Sequence, residues 1–129
     1  KDGSAYETWK KMIQAQGGDP EKPIPVSNNK KIIKANKSGY ITDLNAYSIG
    51  LSAWRLGAGR AKKEDSVSKT AGIICLAKEG DFVENDQPVL ELHIDDVARV
   101  DFAIEALGNA FEISPEPKEK RKVILERIS

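Results

Sequence analysis

The chain has 129 residues, enough for one domain with a real core, and 40% of them are hydrophobic. Its 20 basic and 20 acidic residues cancel, which removes the broad electrostatic argument for nucleic acid or an anionic membrane as partner. One cysteine, Cys75, excludes an internal disulfide and suits a reducing compartment.

The N-terminal "KDGSAYETWKK" is polar and charged, without the apolar core of a secretion signal. No apolar run approaches the ~20 residues that cross a bilayer, so a cytoplasmic location is expected. Ser4 is placed as the N-cap of a first helix, with Ala5, Trp9, Met12 and Ile13 on one face and Tyr6 at its edge. Gly17-Gly18 ends it, because glycine takes the left-handed position without a Cβ clash. Three prolines make Asp19–Asn29 an extended connector. A lone helix before such a connector suggests the trailing edge of something larger. Ile32, Ile33 and Ala35 predict a strand, Ser38-Gly39 a turn, and Tyr40-Ile41 a second strand. Asn45 caps the next helix, whose Ala46, Ile49, Gly50, Ala53, Trp54 and Gly57 share a face that permits close packing.

Residues 71–94 are strongly β. Ile73, Cys75 and Ala77 point one way, Ile74 and Leu76 the other. Gly80-Asp81 and "ENDQP" are turns, and "VLELHI" is the return strand. Asp95 or Asp96 caps a last helix carrying Val97, Val100, Ile104 and Leu107, closed by Gly108. "AFEI" is a short strand, "SPEP" a break, and "KVILERI" a final strand or arm. Helices and strands interleave without a βαβ rhythm, which predicts an α+β fold with a mixed or antiparallel sheet.

One stretch concentrates glycine and positive charge: "RLGAGRAKKEDS", Arg55–Ser66. A dinucleotide fingerprint needs a third glycine where Lys62 stands, and it must follow a strand. The P-loop pattern is absent as well. Gly57 therefore reads as a helix C-cap and Gly59 as a turn, with Arg55, Arg60, Lys62 and Lys63 near the negative helix end. The loop is longer and more basic than a cap requires. Gly57, Gly59, Arg60, Lys62 and Lys63 are a candidate closing surface for an anionic site provided elsewhere.

The remaining chemistry is thin. His93 sits beside two aspartates, but a closed zinc site needs about four ligands, and strand-face packing is the simpler reading; no metal site is expected. Cys75 lies between Ile74 and Leu76 and reads as core rather than as a nucleophile. Asp65 and Asp81 lie in turns, where they cap or face solvent. "AKEGDFVENDQPVLELH" is similar to the hairpin of biotinyl and lipoyl carrier domains. Where their modified lysine stands, this chain has Ile94-Asp95-Asp96.

"MIQAQGGDP", "SGYITDLNAYSIGLSAWRLGAGRAKKEDSVSKTAGI" and "KEGDFVENDQPVLELH" together resemble the C-terminal part of pyrimidine-nucleoside phosphorylases, thymidine phosphorylases included. The resemblance spans nearly the whole chain. It is carried above all by L-G-A-G-R-x-x-K-E-D from Leu56 to Asp65, and it departs at Ser66-Val67-Ser68. It implies a parent that cleaves a pyrimidine nucleoside with phosphate to free base and a pentose 1-phosphate. It implies an α/β-hammerhead, with hairpins like those of barrel-sandwich hybrids and packed helices, over 30–129. Residues 1–29 would be the trailing edge of the parent's α/β domain. By the same resemblance the catalytic and substrate-binding residues lie upstream of Lys1, none in this segment. Phosphate is then the parent's co-substrate, a potassium ion is a candidate ligand of the parent, and a missing helical domain makes a homodimer. This segment would hold no cofactor and would be inactive alone. The alternatives are a non-catalytic hammerhead interaction module and, behind it, a carrier domain.

Overall fold

Alternating apolar residues build two small antiparallel sheets in the computed structural model of the chain, which describes residues 2–119, 124, 126 and 127. In chain order the elements are α1 (Ser4–Ala15), β1 (Asn29–Lys34), β2 (Gly39–Leu44), α2 (Ala46–Ala53), β3 (Gly72–Cys75), β4 (Phe82–Val83), β5 (Pro88–Ile94), α3 (Val100–Leu107) and β6 (Phe111–Ser114). A π turn, Trp54–Ala58, prolongs α2, and a 3-10 turn, Val97–Arg99, leads into α3. One sheet runs β1-β5-β3 and the other β4-β2-β6, every ladder antiparallel. The α+β class is thus observed. The alternative of a mixed sheet gives way to antiparallel pairing throughout the described strands.

Strand β5 is the spine of the core. Val89, Leu90 and Leu92 are fully buried, so it buries side chains on both faces at its start and on one face further along. Ile41, Val83 and Ile113 carry the core into the second sheet. On β3 the expected alternation holds: Ile73, Cys75 and Ala77 turn inward, while Ile74 and Leu76 are exposed. Helices α2 and α3 pack on each other through small residues. The fully buried Ser52 hydroxyl donates to the Ala103 carbonyl at 2.7 Å, and Ala103 is itself fully buried. Asn45 caps α2 as expected, its side chain accepting the Ser48 N–H at 3.0 Å.

The first helix differs at its cap. Ser4 is its first helical residue and not its cap, since Gly3 holds the cap position at φ 83°. The stronger acceptor is Asp2, whose carboxylate takes both the Ser4 N–H at 3.1 Å and the Ser4 hydroxyl at 2.7 Å. Its apolar face is also uncovered: Tyr6, Trp9 and Met12 are exposed, with the first two rings stacked. Gly17-Gly18 does close the helix, through the N–H of Gly18 on the Ile13 carbonyl. The expected extended connector opens instead with a turn, in which the Lys22 N–H donates to the Asp19 carbonyl, and it is pinned near its end by buried Ser27, whose hydroxyl donates to the Ile94 carbonyl. Of "KVILERI", residues 122–128, only Ile124, Glu126 and Arg127 are described, and they lie outside any helix or strand; the rest of that expected arm falls outside the described residues. No helix of the described residues is long and apolar enough to cross a membrane.

Candidate functional site

The glycine-rich stretch begins in the π turn that prolongs α2 and ends at Ser66, ahead of β3. Insertions of this kind inside helices change the direction of the chain. Gly57, buried in the turn, has φ 106°, a conformation that L side chains rarely adopt, so the expected C-terminal glycine is there for its backbone. Gly59 is extended and needs its lack of a side chain for another reason. A Cβ there would lie 2.6 Å from Cδ1 of Trp54. The indole edge rests on the backbone at this point, and its Nε1 donates to the Arg60 carbonyl at 3.0 Å.

Beyond Arg60 the loop ties itself together. Asp65 accepts the N–H groups of Ala61 at 3.1 Å and Lys62 at 2.9 Å, and its own N–H donates to the Lys62 carbonyl. Of the two roles open to it, Asp65 thus takes turn-capping; Asp81 does the same for the Lys78 N–H. The loop closes at its base, where the Ser68 N–H donates to the Gly57 carbonyl at 2.9 Å. Ser68 and Thr70 then each donate a hydroxyl to Asp95, at 2.6 and 2.7 Å. The Ser68 hydroxyl beside it, followed by that of Thr70, holds the Asp95 carboxyl below the usual carboxylate range. So Asp95 anchors the loop, while Asp96 caps the 3-10 turn by accepting the Ala98 N–H.

The backbone of this loop is therefore tied at both ends and across its middle, yet its cationic side chains point to solvent. Arg60, Lys62 and Lys63 are exposed and make no ion pair among the described residues. Arg55 differs from them, lying over the Trp54 ring with its guanidinium carbon 5.2 Å from the centroid. An open cleft runs between the loop and the start of α3, lined by Trp54, Arg55, Asp65, Ser66, Arg99 and Phe102. Its charge is mixed, since Asp65 lies on the same wall as Arg55 and Arg99 pairs with Asp96 at 3.4 Å.

The other candidates have structural partners. His93 Nε2 lies 2.8 Å from Glu91 on the same strand, and Lys30 from β1 reaches the same carboxylate at 2.7 Å. The Lys30 ammonium, ahead of the histidine, keeps the Glu91 carboxyl low. Cys75 is half-buried against the core. At the carrier-lysine position, both aspartates are engaged as described above.

Trp54, Ser68, Thr70 and Asp95 were not among the candidate site residues. The spacing of Trp54 from Gly59 carried a faint signal of contact, since a glycine beyond a helix end admits a ring against its backbone. The Asp95 clamp carried none, because its partners are 27 and 25 residues away in sequence.

Comparison with known proteins places this geometry in context. Residues 40–114 match the pyrimidine nucleoside phosphorylase C-terminal domain. The chain is 33% identical to thymidine phosphorylase of Mycobacterium tuberculosis (strain ATCC 25618 / H37Rv), a match covering 99% of this chain and 30% of that protein. It is 39% identical to pyrimidine-nucleoside phosphorylase of Staphylococcus aureus (strain N315), covering 75% of this chain and 25% of that protein. The chain thus spans less than a third of the length of these relatives.

Proposed function

This chain belongs to the pyrimidine nucleoside phosphorylase family, as its C-terminal domain, and we propose that it serves a larger enzyme as a rigid support carrying a cationic lip. The parent reaction is phosphorolysis: a pyrimidine nucleoside and phosphate become free base and a pentose 1-phosphate. Residues 1–29 are the trailing edge of the parent's α/β domain, and 30–129 form the C-terminal domain. The exposed Tyr6, Trp9 and Met12 then pack against that missing layer. The parent works in the cytoplasm as a homodimer formed elsewhere on the chain.

The observation that carries this reading is the loop itself. Its backbone is held from Gly57 to Thr70, while Arg60, Lys62 and Lys63 project into solvent. Phosphorolysis requires a phosphate anchor and stabilisation of charge on the departing base, supplied by preorganised groups from several elements. One basic loop does not make such a centre. It does suit the rim of one: when the domains close, a fixed cationic edge excludes water and adds favourable potential at the bound phosphate. Gly57 and Gly59 let the chain make the turn, and Arg60, Lys62 and Lys63 supply the charge.

The test is phosphate-dependent release of base from uridine and thymidine, by the complete protein and by this chain alone. The complete protein turns over and the chain alone is silent. Turnover by the 129 residues alone contradicts the reading.

A further inference from the structure

Among the groups that hold the basic loop is one side chain that carries no charge. Trp54 stands inside the π turn and reaches forward over five residues. Its Nε1 donates to the Arg60 carbonyl at 3.0 Å, and its ring edge occupies the space a Cβ on Gly59 would need, 2.6 Å from Cδ1. It also takes the Arg55 guanidinium on its face. The contact falls on the residue that begins the cationic run. The carbonyl of Arg60 and the N–H of Ala61 belong to one peptide unit, and that N–H is held by Asp65. One planar peptide is thus fixed from both sides, by the indole on its oxygen and by the carboxylate on its nitrogen. Its orientation bears on the direction in which Arg60 leaves the backbone.

From this geometry we infer that Trp54 is the positioning residue of the lip. It aims Arg60 at the anionic substrate without touching that substrate. The inference rests on the proposed role of the loop in closing over bound phosphate, and goes beyond it by naming what fixes the loop. A loop that depended on its own Asp65 turn alone would keep its local shape but swing on the Gly57–Gly59 segment. The indole removes that freedom. Trp54→Phe deletes the donor and keeps an aromatic side chain, so it removes the hydrogen bond while losing only part of the packing.

The experiment uses the complete protein with Trp54→Phe, Arg60→Ala and the double variant. Two quantities are read: amide hydrogen exchange at Ala61 and Lys62, and kcat/KM for phosphate with uridine. Loss of one neutral hydrogen bond is expected to speed exchange at those amides about fivefold. In kinetics the two substitutions act through one element, so the double variant is expected to lose no more than Arg60→Ala alone. Exchange unchanged in Trp54→Phe overturns the inference, as do losses that multiply in the double variant. Wild-type kinetics in Arg60→Ala contradict the loop's role in closure instead, and the exchange comparison still decides whether Trp54 holds the loop.

Discussion

Adding one methyl group at Gly59 probes the contact between indole and backbone directly. The backbone there, φ −142° and ψ 170°, suits alanine. On backbone grounds alone Gly59→Ala should stabilise by ~0.4–1 kcal/mol, through the unfolded chain. The obstacle is the ring. Its Cδ1 would be 2.6 Å from the new Cβ and its Nε1 3.5 Å. Carbon atoms in good contact sit ~3.5–4.0 Å apart, so the indole must retreat by about 1 Å. That movement breaks the bond to Arg60, worth about 1 kcal/mol, and overpacks the turn at a cost of ~1–3 kcal/mol. The net is a loss of about 1–3 kcal/mol, or roughly 3–6 °C of Tm per kcal/mol in a domain of this size. Thermal and urea unfolding followed by tryptophan fluorescence measure it. Trp54→Ala removes the obstructing ring, so the double variant should be more stable than the two single losses sum to. An alanine at 59 that leaves stability unchanged or raises it, or strictly additive losses, would refute the reasoning.

Two further outcomes follow from other parts of the structure. Asp95 has its carboxyl lowered by the Ser68 and Thr70 hydroxyls, so its share of stability is full above the unfolded value near ~4 and lost as pH falls through the lower folded value. Exchange protection at Thr70 and Ala71 should therefore be flat from pH 7 to 5 and fall in acid, with that fall gone in Asp95→Asn; weakening on raising the pH would have the wrong sign. Leu56, 1% exposed between α2 and the loop, should cost ~2–5 kcal/mol as alanine in urea denaturation, and a loss below about 1 kcal/mol would place it outside the core.

The parts of the fold legible in sequence were those written in local periodicity. The alternation of Ile73 to Ala77, the Asn45 cap and the glycine closures at Gly17 and Gly108 depend on neighbours within a few residues, and each is found. Ser4 shows where local rules compete. Serine is a good cap, but an aspartate two residues earlier is a charged acceptor, and it takes the hydrogen bonds. The glycines of the basic loop were identified as turn-formers; their differing causes, dihedral at Gly57 and close approach at Gly59, required the fold. The Asp95 clamp joins two segments that only sheet pairing brings together, since β3 reaches β5 with Gly72 opposite His93. No spacing rule encodes that distance. The apolar face of α1 was legible in the pattern but its exposure was not, because amphipathic spacing states that a face is apolar and not what covers it.

The most direct measurement of the proposed role is kcat/KM of the complete protein carrying Arg60→Ala, taken across phosphate concentrations with uridine and with thymidine. Loss of one charge-assisted contact to the closing site, about 1.5 kcal/mol, lowers it roughly tenfold. Wild-type values at every phosphate concentration would contradict the claim that this loop closes on the reaction.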